Sequence, residues 1–129
     1  MILKDLIKQK IIEILTQFED RVLTGFKPFD DFNQLATGDQ IWTVATPDGQ
    51  DTNIILLSDI NKDCIDAFNE LKNDGIIGLR NCDPFIAMVE GDIYKLPFPK
   101  SIKVYKSPRW LPTLVYRGKN WIKYKKSEL

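Results

Sequence analysis

The chain has 129 residues, 43% of them hydrophobic and 28% charged, with 18 basic and 18 acidic side chains and no histidine. That length suits one domain able to bury about two-thirds of its unfolded surface without disulfide or metal staples, and the composition lies far from that of disordered chains. Lack of histidine excludes serine triads, cysteine–histidine dyads and imidazole-held metals, and no run approaches the ~18 apolar residues of a membrane span.

Leu3, Leu6, Ile7, Ile11, Ile14, Leu15 and Phe18 recur at helical spacing, with Lys8, Lys10, Glu13 and Gln17 between them, which predicts a helix over residues 1–20. Charges threaded through this stretch distinguish it from a secretory signal, and the chain reads as cytoplasmic. Ile2 and Ile12 widen the apolar stripe, which leaves a homodimer through this helix open. Residues 24–39 read as a loop whose Phe26, Phe29, Phe32 and Leu35 cap the edge of the core.

Two short runs rich in Ile, Val, Trp and Thr, 40–46 and 53–58, read as the strands of a hairpin over 40–58. A second helix follows over 60–74, capped by Ser58, Asp59 or Asn61, with Ile60, Cys64, Ile65, Phe68 and Leu71 as its buried stripe and Gly75 as its stop. Residues 75–126 then break into short strands, GIIGL, PFIAMVEGDIYKL, SIKVY and TLVYRGKNWIKYK, divided by prolines and by Gly91. The last of them is expected to turn back on itself at Arg117-Gly118-Lys119-Asn120. Connections this short leave no room for crossover helices, so the expected fold is a single α+β domain: a mainly antiparallel sheet packed by an N-terminal and a central helix.

The stretch joining the hairpin strands, VATPDGQDT, invites a nucleotide-binding interpretation. Thr24, Gly25, Phe26, Asp30, Leu35, Gly38, Asp39, Ala45, Pro47 and Thr52 fall in a register that resembles the opening of the ATPase core of RecA-like replicative helicases, over 29 of the 129 residues. That resemblance implies a Walker A loop ending in G-K-T, but Gln50 stands at the last loop glycine and Asp51 at the phosphate-binding lysine. A carboxylate a few ångströms from phosphate is repelled by roughly several kcal/mol at an intermediate dielectric. Turn chemistry accounts for the same residues: Pro47 presets its own φ, Asp48 tolerates turn geometry and Gly49 supplies a positive φ.

Charge is segregated along the chain. Met1 to Tyr94 holds 17 acidic and 8 basic residues, whereas Lys95 to Leu129 holds 10 basic residues and one acid, Glu128. The basic tail is interleaved with Tyr105, Trp110, Tyr116, Trp121 and Tyr124, a pattern that suits an anionic partner, with rings on which nucleic-acid bases could stack. The expected contacts are Lys103, Lys106, Arg109, Trp110, Arg117, Lys119, Trp121 and Lys123.

Cys64 and Cys82 lack metal-ligand spacing and read as core thiols. Glu90, Asp92 and Lys95 are the nearest approach to a divalent-metal nuclease site, although their spacing matches no such motif. The expectation is therefore a non-enzymatic binding domain, of the kind found among small inhibitors, immunity proteins and phage or plasmid accessory factors. It needs no cofactor or metal and engages an acidic protein through its basic C-terminal strands. A protein that binds single-stranded nucleic acid through the same residues is the first alternative, and the nuclease is the second.

Overall fold

The computed structural model describes residues 2–90 and 94–121. Its elements in chain order are α1 (Leu3–Gln17), β1 (Asp20–Val22), a 3-10 turn (Leu23–Phe26), α2 (Asp30–Ala36), β2 (Thr37–Ala45) and β3 (Asp51–Ile60). They continue with α3 (Lys62–Asn73), β4 (Ile77–Asn81), α4 (Pro84–Glu90), β5 (Arg109–Trp110) and β6 (Thr113–Arg117). The fold is α+β, with α1 packed on α3 and on α2. The strands divide into two three-stranded sheets, ordered β1-β6-β4 and β2-β3-β5. Every pairing is antiparallel except β3 with β5.

The stripe of α1 goes inward, with Ile7, Ile11, Ile12, Ile14 and Leu15 all buried. Ile12 joins the core instead of widening an outer face, and Ile2 is left exposed at the helix start. On α3, Cys64, Ala67, Phe68 and Leu71 face the same core. Lys4 and Lys8 clasp Glu70 at 2.6 and 2.7 Å, which ties the two helices together on the outside. These paired lysines hold the Glu70 carboxyl below its ordinary pKa.

Asn61 caps α3: its Oδ1 accepts from the Cys64 N–H at 2.8 Å, and its Nδ2 donates to the Leu35 carbonyl at 2.7 Å. Gly75, at φ +74°, ends the helix. That backbone angle is what calls for glycine; a Cβ there would also displace the Asn120 side-chain amide, whose Nδ2 would lie 2.6 Å away.

The VATPDGQDT segment spans the end of β2, the turn over residues 46–50 and the start of β3. The Gly49 N–H donates to the Thr46 carbonyl and the Thr46 N–H to the Gln50 carbonyl, both at 2.8 Å, and Gly49 sits at φ +87°. The Thr46 hydroxyl accepts from the Gln50 N–H and bonds the Asp48 carboxylate, so the loop's polar groups are used within the turn.

Three segments depart from the sequence expectations. The stretch expected to be a loop at 24–39 contains the 3-10 turn and α2, and two of its aromatics, Phe26 and Phe32, belong to the centre of the core, while Phe29 and Leu35 pack partly buried against its edge as expected. Phe26 and Phe32 are fully buried and meet Phe68 at ring separations of 5.4 and 6.1 Å, while Trp42 stacks on Phe68 at 5.5 Å.

The expected strand PFIAMVE is helix α4. Its start carries the reason: the Asp83 carboxylate accepts from the Phe85 N–H at 2.9 Å, the Asp83 carbonyl accepts from Ile86 and Ala87, and Pro84 fills the first helical position, where its missing N–H is harmless. SIKVY forms no strand. A turn forms one residue later than expected, over 118–121, with the Trp121 N–H donating to the Gly118 carbonyl at 3.1 Å, and Trp121, expected to open the return strand, is helical; the rest of that strand lies outside the described residues.

Candidate binding surface

A second, smaller core forms away from the main one, built from Val22, Ala87, Trp110 and Leu114, with Cys82, Tyr94 and Leu96 packed around it. Trp110 is its centre. Only 2% of Trp110 is exposed, and its ring meets those of Tyr94 at 5.3 Å and Phe98 at 6.0 Å. Expected as a ligand contact, Trp110 has no free face for one; it anchors the basic segment that precedes it.

That segment, from Tyr94 to Pro108, contains no helix or strand. Pro97, Pro99 and Pro108 each lack the N–H that a sheet ladder requires, which is why SIKVY, lying between them, pairs with nothing as a continuous strand. It is nevertheless held in place along its length. The Tyr94 hydroxyl accepts from the Ser58 N–H at 3.0 Å, the Tyr105 N–H donates to the Thr52 carbonyl at 3.0 Å, and the Trp110 N–H donates to the Pro97 carbonyl at 3.0 Å.

Tyr105 closes the loop on itself. Its hydroxyl accepts from the backbone N–H groups of Lys100 and Ser101 and donates to the Ser101 carbonyl at 3.0 Å. The backbone N–H of Ser101, with that of Lys100 adding to it, lowers the phenol's pKa from its ordinary value. The Arg109 guanidinium lies 4.6 Å from the Tyr105 ring centre and Lys103 Nζ lies 5.2 Å from it, and Arg109 also donates to the Phe98 carbonyl at 3.2 Å.

The result is a braced ridge, residues 95–109, with Lys95, Lys100, Lys103 and Lys106 exposed and the apolar Phe98, Ile102 and Val104 each about half exposed among them. Helix α4 stands over the same small core through Ala87, and turns Phe85, Ile86, Met88 and Val89 to solvent. Several exposed apolar side chains set among charges within one segment mark interaction surfaces more than single scattered hydrophobics do.

The remaining expected contacts stand elsewhere. Arg117 donates to the Leu15 carbonyl at 2.7 Å and to the Thr16 carbonyl at 3.1 Å, so it satisfies the C-terminal end of α1, where a cation complements the helix dipole. It also lies 5.4 Å from the ring of Trp121, which is 9% exposed and belongs to the main core. Lys119 is exposed beside that turn. Lys123 falls outside the described residues. The expected surface therefore divides: Lys103, Lys106 and Arg109 share the ridge, while Arg117, Lys119 and Trp121 gather near the ends of α1 and α3.

Of the expected nuclease trio, Glu90 is committed to structure, because its carboxylate accepts from the Val22 N–H at 3.0 Å. Asp92 is outside the described residues. Among the described residues no three acidic or cysteine side chains converge as a metal site would require. Both cysteines are free thiols, and burial pushes Cys64 up to about 12. Sequence reasoning missed the apolar half of the surface, that is α4 and Phe98, Ile102 and Val104. The Asp83-Pro84 pair, whose proline opens PFIAMVE, was the available signal for the helix.

No family model, curated protein or solved structure matches the chain, so its own geometry has to carry the functional interpretation. Among the described residues no helix is long and apolar enough to cross a membrane.

Proposed function

We propose that this protein is a non-enzymatic binding domain whose ridge, residues 95–109, docks on an acidic and partly apolar surface of a protein partner. One contrast carries this. Five of the eight basic side chains in the first 94 residues, Lys4, Lys8, Lys10, Lys62 and Arg80, share an ion pair with a carboxylate. On the ridge, Lys95, Lys100, Lys103 and Lys106 share none with any described residue, although the chain as a whole has as many acids as bases. Among the described residues, ion pairing thus does not neutralise these four lysines. A backbone already braced by Tyr105 and Trp110 loses little conformational freedom when it docks, which favours affinity.

Single-stranded nucleic acid is the less supported partner. Base stacking needs open ring faces, yet of the described tryptophans and tyrosines Trp110 and Trp121 are buried, Tyr94 packs on Trp110, and Tyr105 and Tyr116 already carry Arg109 and Arg80 beside their rings, which leaves the exposed rings of Phe85 and Phe98 for stacking. The two unpaired thiols fit a reducing compartment, so we place the encounter in the cytoplasm. A homodimer through α1 forms no part of the proposal, since its stripe is spent on the core.

The test compares wild-type protein with a Lys100→Glu/Lys103→Glu/Lys106→Glu variant. Because these lysines have no ion-pair partner among the described residues, the variant should melt within about 2 °C of wild type, as surface substitutions usually do. Proteins captured from the native host by the wild type should be acidic, and the variant should lose them. Capture that survives charge reversal would refute the ridge as the contact. Retention of a (dT)20 oligonucleotide at 150 mM salt, with steep salt dependence, would favour the nucleic-acid alternative.

A further inference from the structure

A cleft of about 410 Å³ opens between the two sheets, on parts of the fold that the ridge does not use. Its apolar walls come from Trp42, Leu56, Leu79 and Leu111, and two cations, Lys72 at the end of α3 and Arg80 on β4, stand at it with no acidic residue among the lining groups. Size and composition match an ordinary ligand site, apolar with a few polar groups to fix orientation.

Two features say what kind of ligand. The first is topology: β2 is an outer strand of one sheet and β4 an outer strand of the other, and Thr43–Ala45 of β2 and Leu79–Asn81 of β4 both line the cleft. Each outer strand carries backbone donors and acceptors on the side away from its one partner, a template for another strand. The second is charge. Lys72 shares no ion pair among the described residues, and Arg80, whose guanidinium lies 5.3 Å from the Tyr116 ring centre, has a long ion pair, its Nη2 3.9 Å from Asp20, on a side chain 61% exposed. Lys72 is open to a carboxylate, and Arg80 could exchange its distant Asp20 for one while keeping its place on the ring.

We propose that the cleft binds an extended acidic peptide segment of a partner protein, added as a strand to one of these free edges, with its carboxylates on Lys72 and Arg80. A small organic acid would use the same two cations, but it has no use for a row of backbone groups; an extended chain does. This inference is independent of the ridge, which lies on other residues.

Random 12-residue peptides displayed on phage and selected against the immobilised full-length protein test it. Enriched peptides should be acidic and free of proline at their centre. Titrated into 15N-labelled protein, they should shift the amide resonances of Thr43–Ala45 or Leu79–Asn81. Methylating alternate peptide nitrogens should abolish binding, since it removes strand donors. Lys72→Glu/Arg80→Glu should weaken binding at least tenfold, on the basis of about fivefold for each surface ion pair lost. The same spectrum, unchanged away from the cleft, shows that this variant is folded. Lys103→Glu/Lys106→Glu should bind the peptide as wild type does, which keeps this outcome separate from the fate of the ridge. No enriched peptide, enriched peptides that map elsewhere, or affinity indifferent to the double reversal would overturn the proposal. Glutarate shifting the same resonances as tightly as the peptides would replace it with a small-acid site.

Discussion

Truncating Trp110 to alanine tests whether the ridge is ordered by the small core beneath it. The side chain is 2% exposed and contacts the rings of Tyr94 and Phe98, so its removal combines lost transfer energy with a cavity, about 4 kcal/mol for tryptophan at such a site. An unfolding entropy of about 2.1 cal/mol/K per residue gives about 0.27 kcal/mol/K for a chain of this length, so Tm should fall by about 15 °C. Circular dichroism at 222 nm measures the global change. Hydrogen exchange then localises it: the amides of Tyr105, residue 110 and Leu111, which bond to Thr52, Pro97 and Ile55, should lose protection earlier than those of α1 and α3. Trp110→Phe keeps most of the packing and should cost about 1.5 kcal/mol, or about 5 °C. A Trp110→Ala protein that melts within about 3 °C of wild type, or that keeps its ridge amides protected, would refute the anchoring role.

Asn61→Ala should lower Tm by about 7 °C, since it removes a helix cap and the bond to Leu35, worth about 1 kcal/mol each, whereas Asn61→Asp retains the cap and should lose about half as much; equal losses would show that the cap contributes nothing. The Glu70 pKa lies below its ordinary value in the folded state, so its contribution is complete above the ordinary carboxylate range and disappears as pH falls through the lowered value. Wild type should therefore melt above Glu70→Gln at pH 7, with the gap closed near pH 2; a gap independent of pH would remove the Lys4–Glu70–Lys8 clasp from the account. With its thiol at about 12 and fully buried, Cys64 should react with Ellman's reagent at pH 8 only after denaturation, while the half-buried Cys82 reacts more readily. Rapid reaction of two thiols in the native protein would contradict that burial.

Local periodicity explains which elements could be read in advance. In α1 and α3 the apolar residues repeat every three or four positions, and Asn61 and Gly75 mark the two ends of α3, so these helices could be placed without knowing what they pack against. The Pro47-Asp48-Gly49 turn specifies itself in the same way, because its hydrogen bonds close within five residues. PFIAMV is different. Five neighbouring apolar residues suit a buried strand and a short helix equally, and the Asp83 cap and Pro84 at the helix start resolve that ambiguity.

The candidate surface was legible in charge but not in shape. Segregation of bases into the last third is a property of the chain alone, whereas whether a given tryptophan is a contact or an anchor depends on which face of its strand meets the rest of the molecule. For Trp110 that is decided by a parallel pairing of only two residues with β3, across more than fifty residues of chain. For Arg117 it is decided by the carbonyls of α1, about a hundred residues away.

Composition, helical period and turn chemistry thus settle an α+β chain with two main helices, a central hairpin and a cationic tail, because each arises from interactions among near neighbours. Folding in three dimensions decides the rest: two sheets instead of one, a ridge instead of a strand, and a cleft between outer strands. Those features are made by contacts between distant segments, and a side chain's exposure is set by whatever the fold brings against it.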